Sequence, residues 1–340
     1  MSIIMQTDNE AMATYSSSAY RRDAMPDQAP LENISRFAKS LEAGDFIERL
    51  PWGDYAGLDI HVRPQYVKNY KDKLESGGFG WVGPKWTHRQ QPSDFVKTRW
   101  QLLLMFAGGF ADYDMLKFWL FCALGAGVTI SIVDGNLESL STTLSMVFGI
   151  YCLHLLFRYP FTWFLERNPG FIVKDLGCGF FRPTGMVKFR TWREETFEAP
   201  FIEFDPYISF HVNPKGPVSY KLLLRHRYTG WQTTVAMVAQ HNKVELYAHW
   251  DELQRYMDVS QPLPDVPALE KYRHLDPTTA GYDAAGKRGR PADYWATLDL
   301  EWWEKEGYPA HLEKIRNFPW STLEDRMENS VPNLREAAIV

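Results

Sequence analysis

A chain of 340 residues with 45% hydrophobic residues, a mean hydropathy of −0.35 and a formal charge of −5 is too polar for a many-pass transporter and long enough for one or two folded units. It has no basic excess to neutralise a phosphate backbone, so nucleic acid is not expected as a partner. Its three cysteines, Cys122, Cys152 and Cys178, form neither an even disulfide framework nor a CxxC pair, and no thiolate metal site is expected.

The N-terminus, "MSIIMQTDNEAMATYSSSAYRRD", carries polar residues where a signal peptide has its apolar core. Residues 1 to 30 read as a mobile tail. In the segment from 31 to 114, "LENISRFAKSLEAG" places Ile34, Phe37 and Leu41 on one helical face with Gly44 as the stop. An irregular, Trp- and Gly-rich stretch follows, with "ESGGFGWVGPKW" as its loop. The run "QLLLMFAGGFA" is too short to span a bilayer.

Residues 115 to 166 read as a transmembrane hairpin. Met115 to Val133 is a 19-residue run interrupted only by Lys117, and Ser139 to Phe157 is 19 residues without Asp, Glu, Lys or Arg. Each approaches the roughly 20 residues that one helical pass needs. Tyr113, Trp119, Tyr151 and Trp163 stand at headgroup level. Lys97, Arg99 and Lys117 precede the pair, Arg158, Arg167 and Lys174 follow it, and the loop "DGNLE" has no cation. The positive-inside rule then puts both termini in the cytoplasm of a bacterium, with the inner membrane as location and the bilayer as partner. Ala123 and Gly127, and Ser145 and Gly149, stand four apart, a spacing for close helix packing within the hairpin or in a homo-oligomer.

Beyond the hairpin the pattern changes to period two. "YISFHV", "SYKLLLRHR" and "WQTTVAMV" read as antiparallel strands, with "MVKFR" and "PFIEF" as two shorter ones. "NPKGP" and "RYTGW" supply the turns, with Gly230 at a positive φ. "KVELYAHWDELQRYM" sets Leu246, Trp250, Leu253 and Met257 along one helical stripe. Residues 171 to 258 are thus expected as a cytosolic β domain with a covering helix. From 259 to 340, "VSQPLPDVPALEKYRHLDP" should run extended. "TTAGYDAAGKRGRPAD" should be a polar loop, and "ADYWATLDLEWWEKEG" a Trp-rich helix. The expected fold class is an α+β membrane protein: a two-helix transmembrane hairpin plus a cytosolic antiparallel β barrel or curled sheet closed by a helix.

That order of elements over roughly residues 115 to 258 resembles bacterial membrane-hairpin proteins whose soluble part is a pleckstrin-homology-like barrel. "HRYTGW" and "YMDVSQPLPDVPALEKYRHLDPTTA" look like an uncharacterised family of bacterial two-pass membrane proteins, some encoded beside type VI secretion effectors. The resemblance implies an immunity or secretion-accessory role and brings no catalytic residue with it.

Two strings raise chemistry. "IVKDLGCGFF" looks like the strand and glycine turn of S-adenosylmethionine methyltransferases, with Asp175, Gly177 and Gly179 in place. Phe181 stands where that pattern wants its third glycine, and Pro183 and Gly185 obstruct the helix that should follow. "RHRYTGW" offers Arg225, His226, Arg227 and Trp231 as an anion or lipid-headgroup site at a hairpin tip, although His226 also falls in phase with the buried Leu222 and Leu224. His211, His241, His249 and His274 have no metal-ligand spacing. The sequence therefore favours a non-enzymatic binding protein with a protein partner, no cofactor, no metal and no catalytic set. A membrane-associated methyltransferase and a lipid-headgroup sensor are the alternatives.

Overall fold

The computed structural model describes residues 12–28, 48–72, 80–82, 87–89, 121, 124–129, 132–133, 141–146, 148–149, 152, 178–190, 195–211, 219–239 and 242–327. The chain divides into two units, one from residues 1–91 together with 177–340 and one from residues 92–176.

The first unit is α+β. In chain order its strands are β1 (Glu48–Arg49), β2 (Gly80–Val82), β3 (Thr87–Arg89), β4 (Gly179–Phe181), β5 (Met186–Arg190), β6 (Thr196–Pro200), β7 (Phe204–His211), β8 (Ser219–His226) and β9 (Gln232–Ala239). Its helices are α1 (Pro64–Lys71), α2 (Lys243–Met257), α3 (Pro277–Ala284), α4 (Tyr294–Thr297), α5 (Leu300–Trp302) and α6 (Tyr308–Asn317). The sheets are antiparallel, in the orders β1-β7-β8-β9, β2-β3 and β4-β5-β6. They are separate, open sheets, so the expected barrel is corrected: no closed barrel forms among the described residues. One source of curl is a register shift, in which Leu222 pairs with Ala236 and Leu223 with Thr234. Val235 is thereby left over as a bulge, so the neighbours Val235 and Ala236 are both buried, against the period of two.

Helix α2 covers the large sheet as its stripe requires: Leu246, Trp250, Leu253 and Met257 are all buried. The centre of the core is Trp52, fully buried, with its ring 4.8 Å from Trp250 and 4.9 Å from Phe201. Both indole N–H groups are satisfied, Trp52 donating to the Phe204 carbonyl (3.1 Å) and Trp250 to the Pro51 carbonyl (2.7 Å). The residues before the second unit therefore share one core with those after it.

Residues 12–28, read above as part of a mobile tail, run along this unit. Ser16 N–H donates to the Pro183 carbonyl (2.9 Å) and Val259 N–H to the Tyr20 carbonyl (3.0 Å). Gly185, in the turn between β4 and β5, has φ 69°, and a Cβ there would stand 2.4 Å from the Ser18 carbonyl oxygen. Turn geometry and the approach of this strap both demand glycine.

Arg182, in the same turn and fully buried, fastens four elements. Its Nε and Nη2 donate to the two oxygens of Asp276 (2.9 and 3.1 Å). Nη1 donates to the carbonyls of Tyr256 (2.6 Å) and Asp258 (2.8 Å) at the end of α2, and Nη2 to that of Gln261 (2.7 Å). A guanidinium at this position satisfies carbonyls that a helix C-terminus leaves open and meets the negative end of its dipole. Asp276 is also the N-cap of α3, accepting from Thr279 N–H, and it accepts from Tyr15 OH of the strap.

In the second unit, residues 124–129 and 141–146 are helical. Gly127 lies against Thr143, where a Cβ would come within 2.7 Å of the threonine Cβ, so the small residue does allow a close approach. Thr129 and Ser145 bond back to the carbonyls of Gly125 (2.8 Å) and Ser141 (2.9 Å), a pattern that bends helices. The two-pass expectation is overturned here. Among the described residues no helix is long and apolar enough to cross a membrane. The transmembrane hairpin over 115 to 166 and the inner-membrane location with cytoplasmic termini are withdrawn with it. An apolar run supplies residue types, whereas a span needs about 20 of them in one continuous helix. The helix expected over 31 to 44, the run at 101 to 111 and the turn "NPKGP" lie outside the described residues.

Candidate binding cleft

The structure brings the sequence-derived candidates together at the β8–β9 hairpin, and two of them, His226 and Arg227, are tied to their own fold. Arg227 is buried and forks onto Asp205, Nη2 to Oδ1 at 2.8 Å and Nε to Oδ2 at 3.1 Å, and Asp205 also accepts from Arg49 (3.1 Å). His226 is held between Glu203 (2.8 Å) and Thr229 (2.9 Å), edge-on to Phe197 and Phe204. Burial pushes its imidazole below the usual range, with Glu203 opposing. Arg225 pairs in register with Asp205 on β7 and Gln232 on β9, and Trp231 packs half-buried on the core. Gly230 has φ 73°, as its turn predicts. His226 and Arg227 thus spend their polar atoms on their own fold. In the glycine string, Asp175 and Gly177 lie outside the described residues. Gly179 and Phe181 begin and end β4, and an antiparallel hairpin follows where a cofactor-binding helix would stand.

A second cluster surrounds His61 and Glu252, both buried. Glu252 accepts from the backbone N–H groups of Ile60 (2.7 Å) and His61 (3.1 Å), and its other oxygen meets His61 Nδ1 at 2.7 Å. Burial alone would raise this carboxyl. The His61 charge and hydrogen bonds from His61 outweigh it and hold Glu252 down, to about 2. The pair pins the chain before α1 onto α2. Among the described residues no group of three or more His, Cys, Asp or Glu is placed to hold a metal ion.

Among the described residues an open cleft of about 610 Å³ lies between the N-terminal ends of α1 and α2 and the helical run from α5 to α6. Its size is within the range of ligand sites. Local sequence sets each wall. "RPQYVKNYK" starts α1 with Pro64 at the first helical position, which leaves Arg63, Gln65 and Lys68 facing the cleft. Asn242 and Glu245 come from the first turn of α2.

The third wall is a single row, Leu300, Glu304, Tyr308, Leu312 and Arg316, each four residues from the last. In a regular α-helix each such step overshoots one turn by ~40°, and four steps would carry the row about 160° around the axis. A π-helical turn at Trp303–Gly307 winds less per residue and takes back part of that drift. The turn is anchored by Trp303, buried, with its indole N–H on the Val62 carbonyl at 2.8 Å. Gly307 makes room for it, since a Cβ there would sit 2.4 Å from the Trp303 ring.

Inside the cleft, Arg63 Nη2 meets Glu245 at 2.8 Å, and burial raises the Tyr308 phenol above its ordinary range, against the pull of Arg63. Lys68 and Arg316 are exposed and have no acidic partner among the described residues. Sequence reading missed this site because Lys68 and Arg316 are far apart in the chain. The only local signal was the i, i+4 row across "LEWWEKEGYPAHLEKIR", which looks like part of a Trp-rich docking helix. No family model, no curated protein and no solved structure matches the chain.

Proposed function

We propose that the chain is a non-enzymatic binding protein and that a protein partner docks in the cleft walled by α1, α2 and α6. The observation that carries this reading is that two exposed cations without an acidic partner among the described residues line one concave cleft of ligand-site size. Arg182, Arg227, Arg255, Arg273 and Arg288 each meet carboxylates of their own unit, whereas Lys68 and Arg316 on the cleft wall meet none among the described residues. Apolar side chains of Pro64, Leu300 and Leu312 interleave with these charges along the walls, so the surface offers both kinds of contact that a protein interface uses. Toxin neutralisation and service to a secretion machine are the uses that the sequence resemblance implies, and both need such a surface.

The test is affinity capture from the native host with three baits: the wild-type chain, the charge reversal Lys68→Glu with Arg316→Glu, and Lys287→Glu as an exposed control away from the cleft. A protein recovered by the wild type and the control and lost with the double reversal supports the proposal. Equal recovery by all three baits refutes it.

A further inference from the structure

We infer that the ligand of this cleft is an acidic peptide segment with apolar side chains, presented by the partner protein; the inference rests on the cleft being the docking site. The first argument is shape. The row from Leu300 to Arg316 spans 16 residue steps, about 24 Å of helix, which matches roughly seven residues of extended chain. An isolated phosphate or small carboxylate would touch only a fraction of it. The π turn matters for the same reason, because it reduces the drift of the row around the helix, and all five of its residues line the cleft as a wall for a linear ligand.

The second argument is chemistry. Arg63 is engaged by Glu245, so the cations left for a ligand are Lys68 and Arg316, against the single exposed carboxylate of Glu304. That balance favours incoming carboxylates. Asn242 presents an amide that both donates and accepts, as a peptide main chain does; Gln65, whose Nε2 donates to Asn69 at 2.7 Å, offers its amide oxygen, and Glu304 can accept a backbone N–H. Pro64, Leu300 and Leu312 supply apolar contact between these polar points. A peptide alternating acidic and apolar side chains satisfies all three kinds of wall at once.

The experiment uses the full chain and a fluorescein-labelled peptide of alternating Glu and Leu, read by anisotropy, beside the same peptide with Gln for Glu, and inorganic phosphate as competitor. Saturable binding is expected for the Glu peptide, weakened about tenfold or more with Gln and by Lys68→Glu with Arg316→Glu, which is ~1.4 kcal/mol or more. Thermal melting of the double variant should match the wild type, since both side chains are exposed. Phosphate at millimolar concentration should not displace the peptide. Binding that ignores the Gln exchange or the charge reversal overturns the inference, as does displacement by phosphate. If the capture experiment recovers a cleft-dependent partner while the Glu peptide fails to bind, the peptide class is wrong and the docking site stands. If cleft-dependent capture fails as well, both fall.

Discussion

Replacing Arg182 by Met should unfold the first unit at markedly lower denaturant. The side chain is fully buried beside an Asp276 that is 1% exposed, and it holds that carboxylate and the end of α2 together. Methionine preserves much of the volume and removes every donor. Asp276 is left as a buried charge without its cation, and carbonyls at the helix end lose their partner. Breaking a buried, hydrogen-bonded ion pair from one side costs about 3 to 5 kcal/mol. A cation at a helix C-terminus contributes up to ~2 kcal/mol, but part of that is the same interaction, so about 4 kcal/mol is expected in all. With a urea m-value of about 3 kcal/mol/M, the midpoint followed by tryptophan fluorescence should fall by ~1.3 M. Arg182→Lys should recover little, because one ammonium cannot serve acceptors arranged around a planar fork. Adding Asp276→Asn to the Met variant should cost far less than it does alone, since the buried charge is then gone and Asn still caps α3. A midpoint within about 0.3 M of wild type for Arg182→Met, ~1 kcal/mol by the same m-value, would refute the assignment of Arg182 as a fastener.

Glu252 is held down to about 2 from an ordinary 4.5, so its contribution is present above pH ~4.5 and is lost as pH falls toward 2. The gap in unfolding free energy between wild type and Glu252→Gln should therefore narrow across that window; a gap of constant size would count against the pairing with His61. His226 is a base pushed below 6.5 by burial, so its contribution is present above pH ~6.5 and is lost as the pH falls through its folded value. His226→Gln should flatten the stability profile below neutrality, which urea midpoints at stepped pH would report. Gly185→Ala places a methyl group against the Ser18 carbonyl at a left-handed backbone position and should cost at least about 1 to 2 kcal/mol. Amide exchange should accelerate at Ser16 and nearby strap residues; unchanged protection would mean that the strap does not depend on that turn.

Local pattern made several elements legible. Helix α2 has the bounds of its quoted string, and β5 those of "MVKFR", because amphipathic period and turn residues act over a few positions. "PFIEF" was misread as a strand: its Phe201–Glu203 is a 3-10 turn joining β6 to β7, with Phe201 and Ile202 both buried. "VSQPLPDVPALEKYRHLDP" was expected extended, but Pro267–Leu275 coils into a 3-10 helix, which proline tolerates at its start. Half of the polar loop became α3, started by the Asp276 cap. What stayed illegible was carried by distance in sequence. Arg182 and Asp276 are 94 residues apart and His61 and Glu252 are 191 apart, and no periodicity relates such positions. At the hairpin, the consecutive basic letters do not reveal the partners that fold against two of them, Glu203 on His226 and Asp205 on Arg227, from a neighbouring turn and strand. The membrane reading failed through composition, which counts apolar residues without reporting whether one helix carries them all.

The Trp52 core also sets an order of events during synthesis. Trp52 leaves the ribosome 198 residues ahead of Trp250, the ring it meets edge-on, and 149 ahead of Phe201. At elongation rates of about 5 to 20 residues per second, the indole waits roughly 10 to 40 s for Trp250. Throughout that interval the nascent N-terminal segment carries large apolar side chains with no sheet to receive them, while residues 92–176 are already being translated. Chaperone capture should accordingly be concentrated on chains whose α2 has not yet left the exit tunnel, and a ribosome-profiling experiment with immobilised chaperone would see occupancy fall once α2 has emerged.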